Sequence, residues 1–368
     1  VVSATAAMTP AQAAQTIQNL GIPVAVYDGV DLTVKFADEI AAAPFNGNEC
    51  AWIKAREQAG NYAGINVGDY IPLTTTNGYT FVNRIMGIDT YSGYGDEGNV
   101  VGHHIDWNWD ELWPEAIKMN YYNYNNGLIP TETITADGDT TEFTLTKEMS
   151  QVDTIKRGTT ELSGWTYDPA TYKITFEEAP ASGNLTIIGT GTEYPWNASN
   201  GFAFANSCAG QVPYGENYNP DVHHVDYTQD GIYYYLPQKW KDIIVPKFLM
   251  IGSRYSVSDL VSQPNGYDFV NLGNIWTLTD VEIFGTPMAA NQLTDRRGSY
   301  LHYPLFNTAK RFIKTVAGQD ETGAFWLINP YSYSSGSKTY WSAISERGVG
   351  YSYLASSDNV YFPVCFRT

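Results

Sequence analysis

The sequence predicts a mixed α+β protein, and three observations carry that expectation. Helix-forming stretches with cap signals concentrate in the first 59 residues and then become sparse. The rest of the chain is a run of short segments between turn residues, with 28 Tyr, 33 Gly and 18 Pro, a composition of strands, turns and long ordered loops rather than of a helical bundle. A Thr-rich stretch over 131–192 differs in texture from both of its flanks.

The elements follow in order. Thr9-Pro10 supplies an N-cap and a proline for the first helical position, and Gly21 closes the helix expected over 11–20. Second and third helices are expected over 34–43 and 50–59. Gly68-Asp69-Tyr70-Ile71-Pro72-Leu73, a turn at Asn77-Gly78 and Tyr79-Thr80-Phe81-Val82 read as a β-hairpin whose second strand runs on through 83–88. Between 131 and 192, strands are expected at 140–145, 152–157, 172–176 and 184–188. They are separated by Asp137-Gly138, Arg157-Gly158, Asp168-Pro169 and Ser182-Gly183. Short strands at such spacing predict a small β-sandwich. Further helices are expected over 239–244 and 305–316, the latter with Lys310, Arg311 and Lys314 on a polar face. The final stretch, 325–368, alternates short strands with polar loops.

Composition excludes several function classes. At 368 residues the chain is long enough for two domains of roughly 150 residues. Apolar residues make up 43% and charged residues 16%, which supports a packed core. The formal net charge of −18 argues against nucleic acid and against a polybasic membrane contact. The best apolar run, 243–251, is short and broken by Pro246 and Lys247, so no membrane insertion is expected. Cys50, Cys208 and Cys365 form neither a disulfide framework nor a zinc spacing and read as buried thiols. The sequence begins at Val1, which reads either as loss of an initiator Met or as processing.

Candidate chemistry is thin. His103-His104-Ile105-Asp106-Trp107 echoes His223-His224-Val225-Asp226-Tyr227. Adjacent residues on a strand point to opposite faces, so structural histidines are the first expectation and a shared metal site the second. Asp106, Asp110 and Glu111 lie among Trp107, Trp109 and Trp113, a mixture glycosidases use, although an amphipathic helix start is equally consistent. The three tryptophans exceed the needs of one core and predict an oligomer interface. No nucleophile elbow, P-loop or dinucleotide fingerprint is present. Gly93 to Gly98 is glycine-rich, but Asp96 and Glu97 make it a poor phosphate cradle. No catalysis, metal or cofactor is expected.

The C-terminal stretch carries the strongest signal. Tyr331, Tyr333, Tyr340, Tyr351, Tyr353 and Tyr361 interleave with Ser332, Ser334, Ser335, Ser337, Ser352, Ser356 and Ser357. Tyr gives large contact area at low entropic cost, and Ser gives adaptable hydrogen bonding, as in antibody paratopes. The expected ligand-binding surface is Tyr331, Tyr333, Tyr340, Trp341, Tyr351, Tyr353 and Asn359. It should be held by buried strands at 325–327 and 362–366.

Two resemblances extend this reading. Thr135 to Leu145, Ile174-Thr175-Phe176 and Ala179-Pro180 resemble a β-sandwich module of phage tail and fibre proteins. Gly68 to Leu73, Arg84 to Asp89, Leu278 to Gly285, Tyr303 to Phe306, Phe325 to Pro330 and Phe362 to Thr368 resemble an uncharacterised family of domains in phage structural proteins and gut bacteria. The closing arrangement is similar to C-type-lectin folds, including phage variable proteins diversified by retroelements, though a Glu-Pro-Asn calcium triplet is absent. The resemblance implies an α+β, discontinuous C-type-lectin-like domain over 60–130 and 193–368. It also implies an inserted β-sandwich at 131–192 and an N-terminal helical attachment segment over 1–59. It implies a virion setting. With the Tyr/Ser loops, the expected function is an extracellular virion protein, on a tail or capsid fibre, that binds a host cell-surface glycan or protein and contacts other virion proteins. A homo-oligomer is expected, with a trimer favoured. The alternatives are a capsid or tail decoration protein whose tyrosines make subunit contacts and, third, a polysaccharide depolymerase.

Overall fold

The computed structural model describes residues 27–95, 100–119, 131–147, 149, 151–190, 196–197, 199–209, 226–253, 266–286, 301–307, 309–331, 340–354 and 356–368. The helix expected over 11–20 lies outside them. The helix expected over 34–43 is instead two short pieces, α1 (Leu32–Lys35) and α2 (Ala37–Ala41), interrupted at Phe36. It starts early because Asp31 accepts from the Thr33 N–H and caps the first turn. Asn48 caps α3 (Glu49–Gln58) through the N–H groups of Cys50 and Ala51.

The hairpin forms as β1 (Tyr70–Thr74) and β2 (Thr80–Ile88), turning at Gly78 with φ +96°. β3 (Ile105–Trp109) pairs antiparallel with β2, and the last strand of the chain, Cys365–Arg367, pairs antiparallel with β3. Directly opposed residues share a face. Phe81, Asn83, Ile85, Trp107, Trp109 and Phe366 therefore line one side, and Arg84, Asp106, Asn108, Cys365 and Arg367 line the other. Every residue of β3 is buried, so both faces of this sheet are covered. A bulge between Ile85 and Gly87 lets Tyr303 lie against β2, where a Cβ on Gly87 would come within 2.8 Å of the ring.

The segment 131–190 builds two sheets. One contains β4 (Thr131–Ala136), β6 (Gln151–Arg157), β7 (Thr160–Glu161) and β10 (Gly183–Thr190), in the order β4-β10-β6-β7. The other orders β5 (Glu142–Thr144), β9 (Lys173–Phe176) and β8 (Trp165–Asp168) as β5-β9-β8. They share one aliphatic cluster, with Ile155, Ile174, Leu185 and Ile187 at its centre, distinct from the larger core of the remaining chain. The turn signals act as expected: Asp137 accepts from the N–H groups of Asp139 and Thr140, and Asp168 from Ala170.

The chain continues through α4 (Asn200–Asn206), α5 (Ile232–Tyr235) and α6 (Gln238–Lys241), then the antiparallel pair β11 (Phe248–Ser253) and β12 (Gly266–Asn271). Next comes α7 (Asp280–Phe284), opened by a Thr279–Glu282 capping box and closed by Gly285 at φ +71°. The helix expected over 305–316 is absent. Two 3₁₀ turns, Pro304–Asn307 and Ala309–Phe312, stand in its place. The chain then extends so that Thr315 bridges Thr322 and Val316 bridges Leu112, which turns Lys314 inward to 4% exposure rather than onto a polar face. A final sheet orders β13 (Ala324–Tyr331), β14 (Tyr340–Ile344), β15 (Gly350–Leu354) and β16 (Val360–Tyr361) as β15-β14-β13-β16; the closing strand Cys365–Arg367 is β17.

The mixed α+β class expected from the sequence is observed, with sheets dominant and helices few and short. The tryptophans expected at an oligomer interface are instead in the chain's own core. Trp109 stacks on Phe81 at 3.9 Å, Trp113 lies 6.2 Å from Phe81, and Trp107 meets Trp240 edge-on at 5.6 Å. No helix among the described residues is long and apolar enough to cross a membrane.

Candidate functional site

Of the expected binding residues, Tyr331, Tyr340, Trp341, Tyr351 and Tyr353 sit on the C-terminal sheet. β13 is an apolar strand, and Phe325, Trp326 and Leu327 are buried as anticipated, as are Phe362, Val364 and Phe366. β14 pairs with β13 on one side and β15 on the other; among the described strands β15 is at the edge of the sheet. That order decides which aromatics face solvent. Trp341, on the central strand between Pro330 and Tyr353, is only 1% exposed. It is closed off from solvent, unlike the exposed ligand contact expected of it. Tyr351, on the edge strand, is 60% exposed.

Tyr353 shares a face with Tyr351 and is half-buried. Its ring is 5.1 Å from that of Tyr351 and meets Trp326 edge-on at 6.3 Å. Burial pushes the Tyr353 hydroxyl pKa up, with Glu346 adding to the shift. Tyr331 and Tyr340 oppose each other across β13 and β14. Asn359 is exposed immediately before β16. Tyr333 lies outside the described residues. The arrangement is an exposed Tyr351 beside a half-buried Tyr353, backed by two sealed tryptophans, without a carboxylate pair among the residues placed there.

A second constellation occupies the polar face of the first sheet. Asp106 accepts from Arg367 Nε at 2.7 Å and Nη2 at 2.9 Å, and from the Tyr303 hydroxyl at 2.8 Å. Burial alone would raise the Asp106 carboxyl; Arg367 and His104 outweigh it and hold the group below the usual carboxylate range. Lys247 is fully buried, pairs with Glu282, donates to the Tyr303 hydroxyl at 3.1 Å and lies 3.8 Å over the Trp276 ring. Burial pulls its pKa down, against the pull of Glu282 and Asp106. Tyr91 donates to Glu282 at 2.7 Å. Two cations meet two carboxylates here, so the cluster is closed on itself.

The other carboxylates once grouped with Asp106 lie elsewhere. Asp110 pairs with Arg84 and Arg311, and Glu111 accepts from the Val82 N–H at 2.9 Å. The acidic cluster is thus divided among three structural tasks, and its helical alternative is replaced by β3. His103 bonds Asp89 at 2.8 Å, while His104 donates from Nδ1 to the Gly102 carbonyl and accepts from the Tyr91 N–H. His223 and His224 lie outside the described residues. No group of three or more metal-ligating side chains occurs among the described residues. Cys50 and Cys365 are buried and Cys208 half-buried, all three as free thiols.

Sequence reasoning overlooked the roles of Lys247, Glu282 and Tyr303 and placed Lys314 on a polar face. A signal for the first was present: Lys247 interrupts an apolar run, and a cation inside such a run must be paired or neutral.

No protein-family model matches the chain, and neither a curated protein nor a solved structure matches it.

Proposed function

We propose that the chain is a recognition protein of a phage particle that binds a host-surface glycan or protein through the β14–β15 face. The observation that carries this reading is the position of Tyr351, 60% exposed beside Tyr353 on an edge strand whose inner neighbours, Trp326 and Trp341, are sealed. A rigid, preordered aromatic platform loses little entropy on binding. The Tyr/Ser composition of 331–361 supports it, as does the resemblance of the sequence to phage structural domains. In this reading the main body is of C-type-lectin type, and 131–192 is an inserted β-sandwich.

The binding test is retention on bacterial cells or on arrayed surface polysaccharides, compared between the wild type and Tyr351→Ala. A specific loss supports recognition at this face, and unchanged binding moves the site elsewhere. The insertion is tested by replacing 131–192 with a Gly/Ser linker. Because its aliphatic cluster is distinct from the main core, the remainder is expected to keep a cooperative melting transition. Loss of that transition contradicts an inserted unit.

A further inference from the structure

Lys314 is an unusual lysine. It is 4% exposed, and its ammonium nitrogen donates to Asn108 Oδ1 at 2.7 Å and to the Trp109 carbonyl. Among the described residues no carboxylate lies within ion-pair distance of it, in contrast to Lys247 and its Glu282. A buried ammonium without a counter-ion is costly, and the group escapes that cost by losing its proton. Burial does pull the Lys314 pKa down, with Asp110 and Glu111 too remote to pair directly. Its side-chain nitrogen is thus held against a carboxamide on a strand that is buried on both faces, where water cannot compete.

We propose that Lys314 and Asn108 form an intramolecular isopeptide bond. The Nζ lone pair attacks the Asn108 side-chain carbonyl carbon, a C–N bond forms there, and the bond from that carbon to Nδ2 breaks. Nδ2 departs as ammonia, carrying a proton that Nζ gives up. Nothing is oxidised or reduced and no co-reactant is consumed. The departing nitrogen is already placed: Asn108 Nδ2 lies 3.1 Å from Cys365 Sγ and 3.3 Å from the Val364 carbonyl. Burial pushes the Cys365 thiol up to about 12, so Sγ meets Nδ2 as a neutral acceptor. The bond ties β3 to the segment before β13, across more than 200 residues of sequence, since 314 − 108 = 206.

Intact mass of the denatured full chain tests this directly. The expected mass is one ammonia below that of the sequence, with tryptic peptides 85–118 and 312–338 recovered as one linked species. Lys314→Arg, which removes the primary amine, is expected to restore the missing ammonia and separate the peptides. A succinimide at an Asn-Gly pair such as Asn77-Gly78 also loses ammonia, so the linked peptide decides. Folded wild-type protein with the full sequence mass after prolonged incubation overturns the proposal. So does a lighter mass without the linked peptide.

Discussion

β3 and β15 are each five residues long, antiparallel, with aromatics at alternate positions: Ile105-Asp106-Trp107-Asn108-Trp109 and Gly350-Tyr351-Ser352-Tyr353-Leu354. Their fates are opposite. β3 lies between β2 and β17 and is buried on both faces, whereas β15 is at the edge of its sheet and leaves Tyr351 in solvent. Strand order, which the local pattern does not encode, makes one a core strand and the other a platform. Trp107 needs one partner for its indole N–H and finds it in Thr368 Oγ1 at 2.8 Å. A tyrosine hydroxyl left wet at a surface carries no such burial cost.

The contrast can be broken at its deepest point first. Removing the Asp106 carboxylate by Asp106→Ala leaves Arg367 buried and unpaired, with an expected loss of about 3–5 kcal/mol of stability by chemical denaturation. A loss below about 1 kcal/mol would mean that the polar face of β3 is hydrated rather than sealed. Next, Trp109→Ala empties the stack with Phe81 and Trp113. About 3–5 kcal/mol is expected here as well, at the lower end if the neighbouring rings close the gap.

Acid titration sharpens the comparison on the rim of the first sheet. Burial raises the Glu111 pKa, so the folded state holds its proton more tightly than the unfolded state. Its contribution is favourable below the ordinary carboxylate range and is lost as pH rises through the raised value. Glu111→Gln keeps an acceptor for the Val82 N–H and is expected to gain stability relative to wild type at neutral pH but not in acid. Equal differences at both pH values contradict this. Asp106 has the opposite sign. Its lowered carboxyl stabilises above the ordinary range and withdraws that support as pH falls toward the folded value. The smallest effect belongs to β15: Tyr351→Ala is expected to change stability by no more than about 0.5 kcal/mol, read as an almost unmoved melting temperature.

Much of the local structure was legible in the sequence, because local chemistry specifies it. The hairpin at Asn77-Gly78, the Asx turns at Asp137 and Asp168, and the helix starting near Asn48 all follow from residues that bond their own neighbourhood. What misled was whatever depended on distant partners. The segment 305–316 has a helical polar pattern, but bridges to Leu112 and Thr322 stretch its end and draw Lys314 into the core. Trp341 reads like its tyrosine neighbours, yet it lies on the central strand β14 and is 1% exposed. Asp106, Asp110 and Glu111 cluster in sequence, yet the strand's alternation sends Asp106 to Arg367 while Glu111 turns to Val82.

The central claim is that the tyrosine pair, with Tyr351 exposed, recognises while the sealed tryptophans only support it. The most direct measurement pairs cell binding with melting temperature for Tyr351→Ala. The expected result is at least about 2 kcal/mol of lost binding, roughly thirtyfold in Kd, with an unchanged melting temperature. Binding that survives the substitution, or folding that fails together with binding, would contradict it.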